Sequence, residues 1–356
     1  MSKKNLIMIV KLTRFMRGKV FNIKKLVVVF LLILSAFGVY SQTNEERSLQ
    51  PQKEYVLNNG WLYGCIYQPQ GKHTFCRIRL SDFKKEIFRN VSFIDGFVAV
   101  DNDQLFFSYH GLYKQRMDNL NRIPLKKVES KTSNVINNVI FFNNRLYYMQ
   151  EIDGTTDKRK ALYNICSMNT DGSDDKKLTG CHYRDFCIYK GMIFARNNES
   201  AEFEKLDING NLMDNYGKVG YGYFFEVYND YIYYLDKEQL YGININTKEK
   251  RLIKSSPFPL INPFISNNHL FFSTAKENVV NKNTNMSVGS YGDLYSINLA
   301  SGELKRIYTG LCSLFYVYNG IIYCREAVVL SEVYVNEFQI KMDGTGKERV
   351  ELFWKN

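Results

Sequence analysis

The residue types that carry most protein chemistry are sparse in this chain of 356 residues. Its four histidines, His73, His110, His182 and His269, include no two spaced as ligands on one strand or helix turn. His182 heads the polar run His182-Tyr183-Arg184-Asp185. Acid–base catalysis would require ionisable groups converging from separate segments, and the available ones are Asp95, His182, Asp185, Glu226 and Asp293. No Gly-x-Ser-x-Gly elbow, phosphate loop, His-Glu-x-x-His pair or sialidase-type Asp box occurs. Asp171-Gly172 and Asp343-Gly344 lack the several closely spaced acids of a calcium loop, and that dipeptide suits a hairpin turn. The expectation is therefore a non-catalytic protein without metal or cofactor.

Binding is the chemistry that remains. Tyrosine offers a large contact area at low entropic cost, and Tyr221, Tyr223 and Tyr291 fall off the strand pattern set out below. Together with His182, Tyr183, Arg184, Asp185 and Asp293 they make up the candidate binding set. Seven cysteines are an odd number with no Cys-x-x-Cys spacing. Cys65 and Cys76 fall on neighbouring strands of the first repeat and are the leading candidate disulfide, followed by Cys181 and Cys187; the alternative is burial as small apolar residues.

The elements that must position these residues are set by a repeat. A short signature reads Asn, a turn former, any residue, an aliphatic anchor and an aromatic, and it begins at Asn59, Asn102, Asn143, Lys190, Asn229, Asn267 and Asn319. Only the fourth copy lacks the Asn. The anchors are Leu62, Leu105, Leu146, Ile193, Ile232, Leu270 and Ile322, each followed by Tyr or Phe. Positions two and four before the signature are apolar in every copy, which places them on one face of a strand. The turn formers that follow tolerate positive φ and predict a tight hairpin.

A second hairpin follows in each repeat, as in Leu162 to Met168, Leu240 to Ile245 and Leu294 to Leu299. Four antiparallel strands at the spacing of the signature predict an all-β fold, a seven-bladed β-propeller, with six or eight blades as alternatives. Blades are expected at about 55–90, 91–133, 134–180, 181–223, 224–260, 261–310 and 311–353. The start positions are 43, 41, 47, 39, 38 and 52 residues apart. The excess falls in second turns, at 151–160, 276–293 and 325–332, so one face is smooth and the other carries variable loops.

Residues 1–41 are a separate object. Eight basic and no acidic residues accompany an apolar run of 15 residues, Leu26 to Tyr40, the pattern of a signal peptide helix or an uncleaved anchor. Residues 42–54 are then a linker or closing strand, and 55–356 the propeller. Eight of the eleven net positive charges lie in the first segment, so the remainder carries +3 and no nucleic-acid footprint. The protein is expected outside the cytoplasm, monomeric, and associated with a membrane only through an uncleaved N-terminal segment.

Blade ends such as Met168-Asn169-Thr170-Asp171-Gly172-Ser173 and Met342-Asp343-Gly344-Thr345, with the Asn-containing first turns, resemble a group of bacterial exported propellers. These are described as similar to the low-density-lipoprotein-receptor-related propeller, a family of unknown function; the TolB propeller is more distantly similar. The resemblance spans residues 55 to 353. The receptor signature Tyr-Trp-Thr-Asp is absent, and Ile232-Tyr233-Tyr234-Leu235-Asp236 comes nearest. The resemblance implies export and a binding or scaffold role, with a protein or glycan ligand at the cell envelope, and supplies no catalytic residues. The alternative is a propeller lyase or hydrolase with its site at the channel mouth.

Overall fold

A computed structural model describes residues 48–50, 55–66, 74–92, 98–101, 104–108, 111–117, 121–127, 136–151, 163–180, 183–219, 224–256, 259–281, 286–329 and 333–353. All belong to the part of the chain that follows Glu45. Among them are strands and turns but no helix.

The strands run in sequence as antiparallel meanders. Unit one holds β1 (Val56–Asn58), β2 (Trp61–Ile66), β3 (Thr74–Arg79) and β4 (Lys85–Ser92). Unit two holds β5 (Val98–Asp101), β6 (Gln104–Ser108), β7 (Gly111–Arg116) and β8 (Ile123–Lys127). Unit three holds β9 (Ile136–Phe142), β10 (Arg145–Glu151), β11 (Tyr163–Asn169) and β12 (Lys176–Lys177). Unit four holds β13 (Tyr183–Tyr189), β14 (Met192–Asn197), β15 (Glu202–Leu206) and β16 (Leu212–Lys218). Unit five holds β17 (Phe225–Tyr228), β18 (Tyr231–Asp236), β19 (Gln239–Asn244) and β20 (Lys250–Ser255).

Unit six holds β21 (Leu260–Ser266), β22 (His269–Thr274), an added β23 (Glu277–Asn281) and β24 (Met286–Asn298). Its fourth strand is the first part of β25 (Leu304–Tyr318), whose second part opens unit seven with β26 (Ile321–Val329), β27 (Val333–Lys341) and β28 (Glu348–Val350). Among the described residues, a single bridge, Tyr163 to Tyr183, pairs units three and four.

The signature does two jobs in this arrangement. Its first two residues are a two-residue hairpin loop with both backbones left-handed. Asn143 and Asn144 have φ of 47° and 60°, Asn229 and Asp230 46° and 59°, and Asn319 and Gly320 48° and 75°. Two consecutive positive φ values define the type I′ turn, whose twist matches the flanking strands. The register that results is the same in every unit: Leu57 faces Leu62, Val100 faces Leu105, Phe141 faces Leu146, and so on to Val317 and Ile322.

Its second job is to join neighbours. All seven aliphatic anchors are 0% exposed, and the aromatic after each is no more than 4% exposed. Successive residues on a strand point to opposite faces. The anchor therefore packs against the preceding unit and the aromatic against the following one. Leu105 joins the cluster shared by units one and two, and Phe106 the cluster shared by units two and three. Ile232 and Tyr233 divide likewise between the four–five and five–six clusters.

The same rule closes the ring. Tyr323 of unit seven and Leu62 of unit one share one cluster with Tyr55, Val350, Leu352 and Phe353. Tyr55 and Phe353 rings lie 4.8 Å apart, over a site where a side chain on Gly64 would come within 2.8 Å of each. Successive first strands lie side by side (β1 by β5, β5 by β9, β9 by β13, β13 by β17), so they line a central hub. This is the architecture of a β-propeller.

Candidate binding face and hub

The first turns lie at one end of the units and the second turns at the other. At the second-turn end, two hairpins outgrow the blades. β26 and β27 stay paired out to Val329 and Val333, four residues past the Arg325–Glu337 pair, or roughly 13 Å at strand rise. β23 and the start of β24 form a second extension, paired from Glu277–Tyr291 to Asn281–Met286. The long second turns of units six and seven are thus built largely as strand, whereas residues 152–162 of unit three lie outside the described residues.

The same end holds buried acids on five consecutive units: Glu151, Glu204, Glu226, Asp293 and Glu337, all less than 8% exposed. A buried carboxylate is costly without partners, and its surroundings supply them. Glu204 accepts from the Tyr183 hydroxyl at 2.5 Å and from Asn197 Nδ2 at 3.1 Å. Asp293 accepts from Lys276 Nζ at 3.1 and 3.2 Å and from the Gly310 amide at 3.0 Å. Glu337 accepts from the Leu352 and Phe353 amides, both at 2.7 Å. Asp185 pairs with Arg196, whose guanidinium burial pulls below its ordinary pKa while Asp185 pulls the other way.

The candidate residues are redistributed by this packing. Tyr183 is 3% exposed and Tyr291 3% exposed, so neither is the open loop tyrosine expected. Tyr183 begins strand β13, and its hydroxyl is spent on Glu204. Tyr291 packs against Ala327 and Leu311 between the two hairpin extensions. Asp293 is 4% exposed, and its carboxylate accepts from the Gly310 amide. Arg184 and Asp185 are half-buried on β13, which replaces the link segment expected there. His182, Tyr221, Tyr223 and Asp95 lie outside the described residues.

Of the remaining candidates for catalysis, Asp185, Glu226 and Asp293 sit on units four, five and six. Among the described residues no group of three or more His, Cys, Asp or Glu could hold a metal. The candidate disulfide is also corrected, in favour of burial as small apolar residues. Cys65 and Cys76 are both buried and not bonded to each other, and they point to opposite faces of unit one, into different clusters. In the register, Cys65 faces Phe75 and Cys76 faces Gly64, and no bridge can cross the sheet between them. Burial pushes the Cys76 thiol up to about 12.

The hub contains a feature that sequence reasoning missed. Residues 48–50 pair with the inward edges of β13 and β17 instead of completing a blade. The Leu49 amide donates to Ile188 O at 2.7 Å and Leu49 O accepts from the Ile188 amide at 3.0 Å. The Ser48 amide donates to Val227 O at 2.8 Å, and the Val227 amide returns a bond to Ser48 Oγ at 3.1 Å. Gln50 Nε2 donates to the same Oγ at 2.9 Å. Among the described residues no helix is long and apolar enough to cross a membrane.

No family model matches the chain, and no curated protein matches it either. Solved structures do. A puromycin hydrolase aligns with a TM-score of 0.59 at 12% identity, over 85% of this chain and 55% of that one. A puromycin-hydrolysing peptidase of Mycobacterium tuberculosis gives 0.57 at 8% identity, over 88% and 53%. An oligogalacturonate lyase, solved with manganese, gives 0.50 at 12% identity, over 80% and 87%. The chain spans about half the length of the peptidases it matches. At these identities the likeness is one of fold, and the fold is the propeller.

Proposed function

We propose that this protein is an exported β-propeller that binds a protein or glycan ligand at the cell envelope through its second-turn face, without catalysing a reaction. The observation that carries the reading is the asymmetry of the two ends. Every described first turn is a two-residue loop, whereas the opposite end bears the β23–β24 and β26–β27 extensions. Rigid scaffolds present their binding groups on such variable segments. The acids beneath that face are held by internal donors, which suits a load-carrying floor better than a reacting group. Export rests on the basic and apolar character of residues 1–41 and on the resemblance of the turns to exported propellers.

The test is a hairpin exchange. Replacing Val279–Gly289 by Asn-Gly joins the paired residues Asn278 and Ser290 through a two-residue turn and leaves Lys276 and Asp293 in place. On a glycan array and in pull-downs from envelope extract, the shortened protein should lose the ligand captured by the parent, with an unchanged melting temperature. Undiminished capture would count against the face. A second reading is favoured by the likeness to peptidase and lyase propellers: an enzyme with its site at the channel mouth. Turnover of peptide or oligogalacturonate substrates, abolished by Asp185→Asn or Glu226→Gln, would establish it.

A further inference from the structure

We infer that the hub wall formed by β13 and β17 is a binding site for an extended peptide carrying a hydroxyl residue followed by one with a backbone N–H, and that residues 48–50 occupy this site in cis. The inference is independent of the second-turn face. It starts from the position of the two strands. Each is the first of its unit, so one edge pairs with the second strand and the other, apart from the Tyr183 bridge to β11, faces the hub. An inward edge is a row of backbone donors and acceptors that will accept an added strand.

The occupant meets that edge in two different ways. Leu49 and Ile188 exchange both of their backbone bonds, the close pair of an antiparallel ladder. Ser48 serves Val227 with its amide and its hydroxyl, which stands where a second carbonyl would be in a regular strand. Recognition therefore requires a small hydroxyl side chain at the first position and an N–H at the second. The aliphatic group contributes little by itself, since Leu49 remains 43% exposed.

The energetics favour exchange. The four hydrogen bonds are partly offset by the entropy of ordering three residues, so the segment is held only weakly. The segment stays in place because it is tethered, at an effective concentration on the order of millimolar. A free peptide that continues the pairing along β13 can displace it.

The experiment uses the full chain and, as probe, a fluorescein-labelled peptide of residues 46–52, Glu-Arg-Ser-Leu-Gln-Pro-Gln. Leu49→Pro removes the N–H that Ile188 O accepts and should release the segment. The expected result is at least tenfold tighter saturable binding of the probe to Leu49→Pro than to the parent. A probe with Pro at the Leu49 position should not bind. Amide exchange at Ile188 and Val227 should quicken at least tenfold in Leu49→Pro and slow again when probe is added. Folded Leu49→Pro that shows no saturable binding, or equal binding of the Pro probe, or unchanged exchange, would overturn the proposal. So would a Leu49→Pro chain that does not fold, because a displaceable segment cannot be required for the fold.

Discussion

Replacing Glu337 by alanine should open the ring at its seam. Glu337 is 3% exposed and accepts the Leu352 and Phe353 amides at 2.7 Å each through Oε2. Phe353 in turn packs on Tyr55 of the first unit. Arg325 Nε lies 3.8 Å from the other carboxylate oxygen, and its guanidinium sits 5.4 Å over the Tyr55 ring. A hydrogen bond to a charged acceptor contributes about 1.5–3 kcal/mol net. Two such bonds, with a buried guanidinium deprived of its acid, set the loss in Glu337→Ala at about 3–5 kcal/mol. Glu337→Gln keeps an oxygen in place for both amides and should cost about 1–2 kcal/mol, since charge assistance roughly doubles a bond's strength. Urea unfolding measures both values, and amide exchange at Leu352 and Phe353 reports whether the tail detaches first. A loss under about 1 kcal/mol in Glu337→Ala, or equal losses in the two variants, would refute the assignment of the carboxylate as the clasp.

Three further outcomes follow from the geometry. Gly64→Ala should destabilise by about 1–3 kcal/mol, because its Cβ would lie 2.7 Å from Tyr55 and 2.8 Å from Phe353; thermal denaturation checks it. Asn143→Gly should be neutral within about 0.5 kcal/mol while Asn143→Val costs at least about 1 kcal/mol, since φ there is 47°; paired melts decide. The Lys190 ammonium beside Asp230, 2.9 Å away, holds that carboxyl below its ordinary value of 3.8. A depressed acid adds stability above its unfolded pKa and loses it as pH falls through the folded value. The gap between parent and Asp230→Asn, a few tenths of a kcal/mol for so exposed a pair, should therefore be full above about pH 5 and close toward pH 2. A gap that persists at pH 2 would contradict the assignment.

The framework was legible because each signature residue answers to a local demand. Asn229 and Asp230 announce a turn by their tolerance of positive φ, and Ile232 and Tyr233 announce a strand buried on both faces. Even the exceptional Lys190 keeps the left-handed φ of 51°, and it reaches Asp230 of the next turn in place of an amide contact. The binding set was less legible, because exposure is a property of the assembled ring. Tyr183 and Tyr291 read as open loop residues until Glu204 and Ala327 cover them. Cys65 and Cys76 read as partners by strand adjacency, yet alternation sends them to opposite faces. The hub segment gave no signal of its own: Ser48 meets a strand 179 residues away through one common hydroxyl and main-chain groups that any sequence possesses.

The division of labour between anchor and aromatic also governs incomplete molecules. Each unit leaves one face for its predecessor and one for its successor, so an open run of units ends in two complementary apolar surfaces, whatever its length. Adding a unit covers one surface and creates another like it; only the meeting of the last unit with the first removes both. A chain shortened so that it lacks Leu352 and Phe353 would therefore carry a matched plug and socket on one body. Contacts of that head-to-tail kind, when they do not close within one molecule, propagate between molecules. Such a chain is expected to polymerise end to end, whereas in the intact ring the same surfaces find each other first.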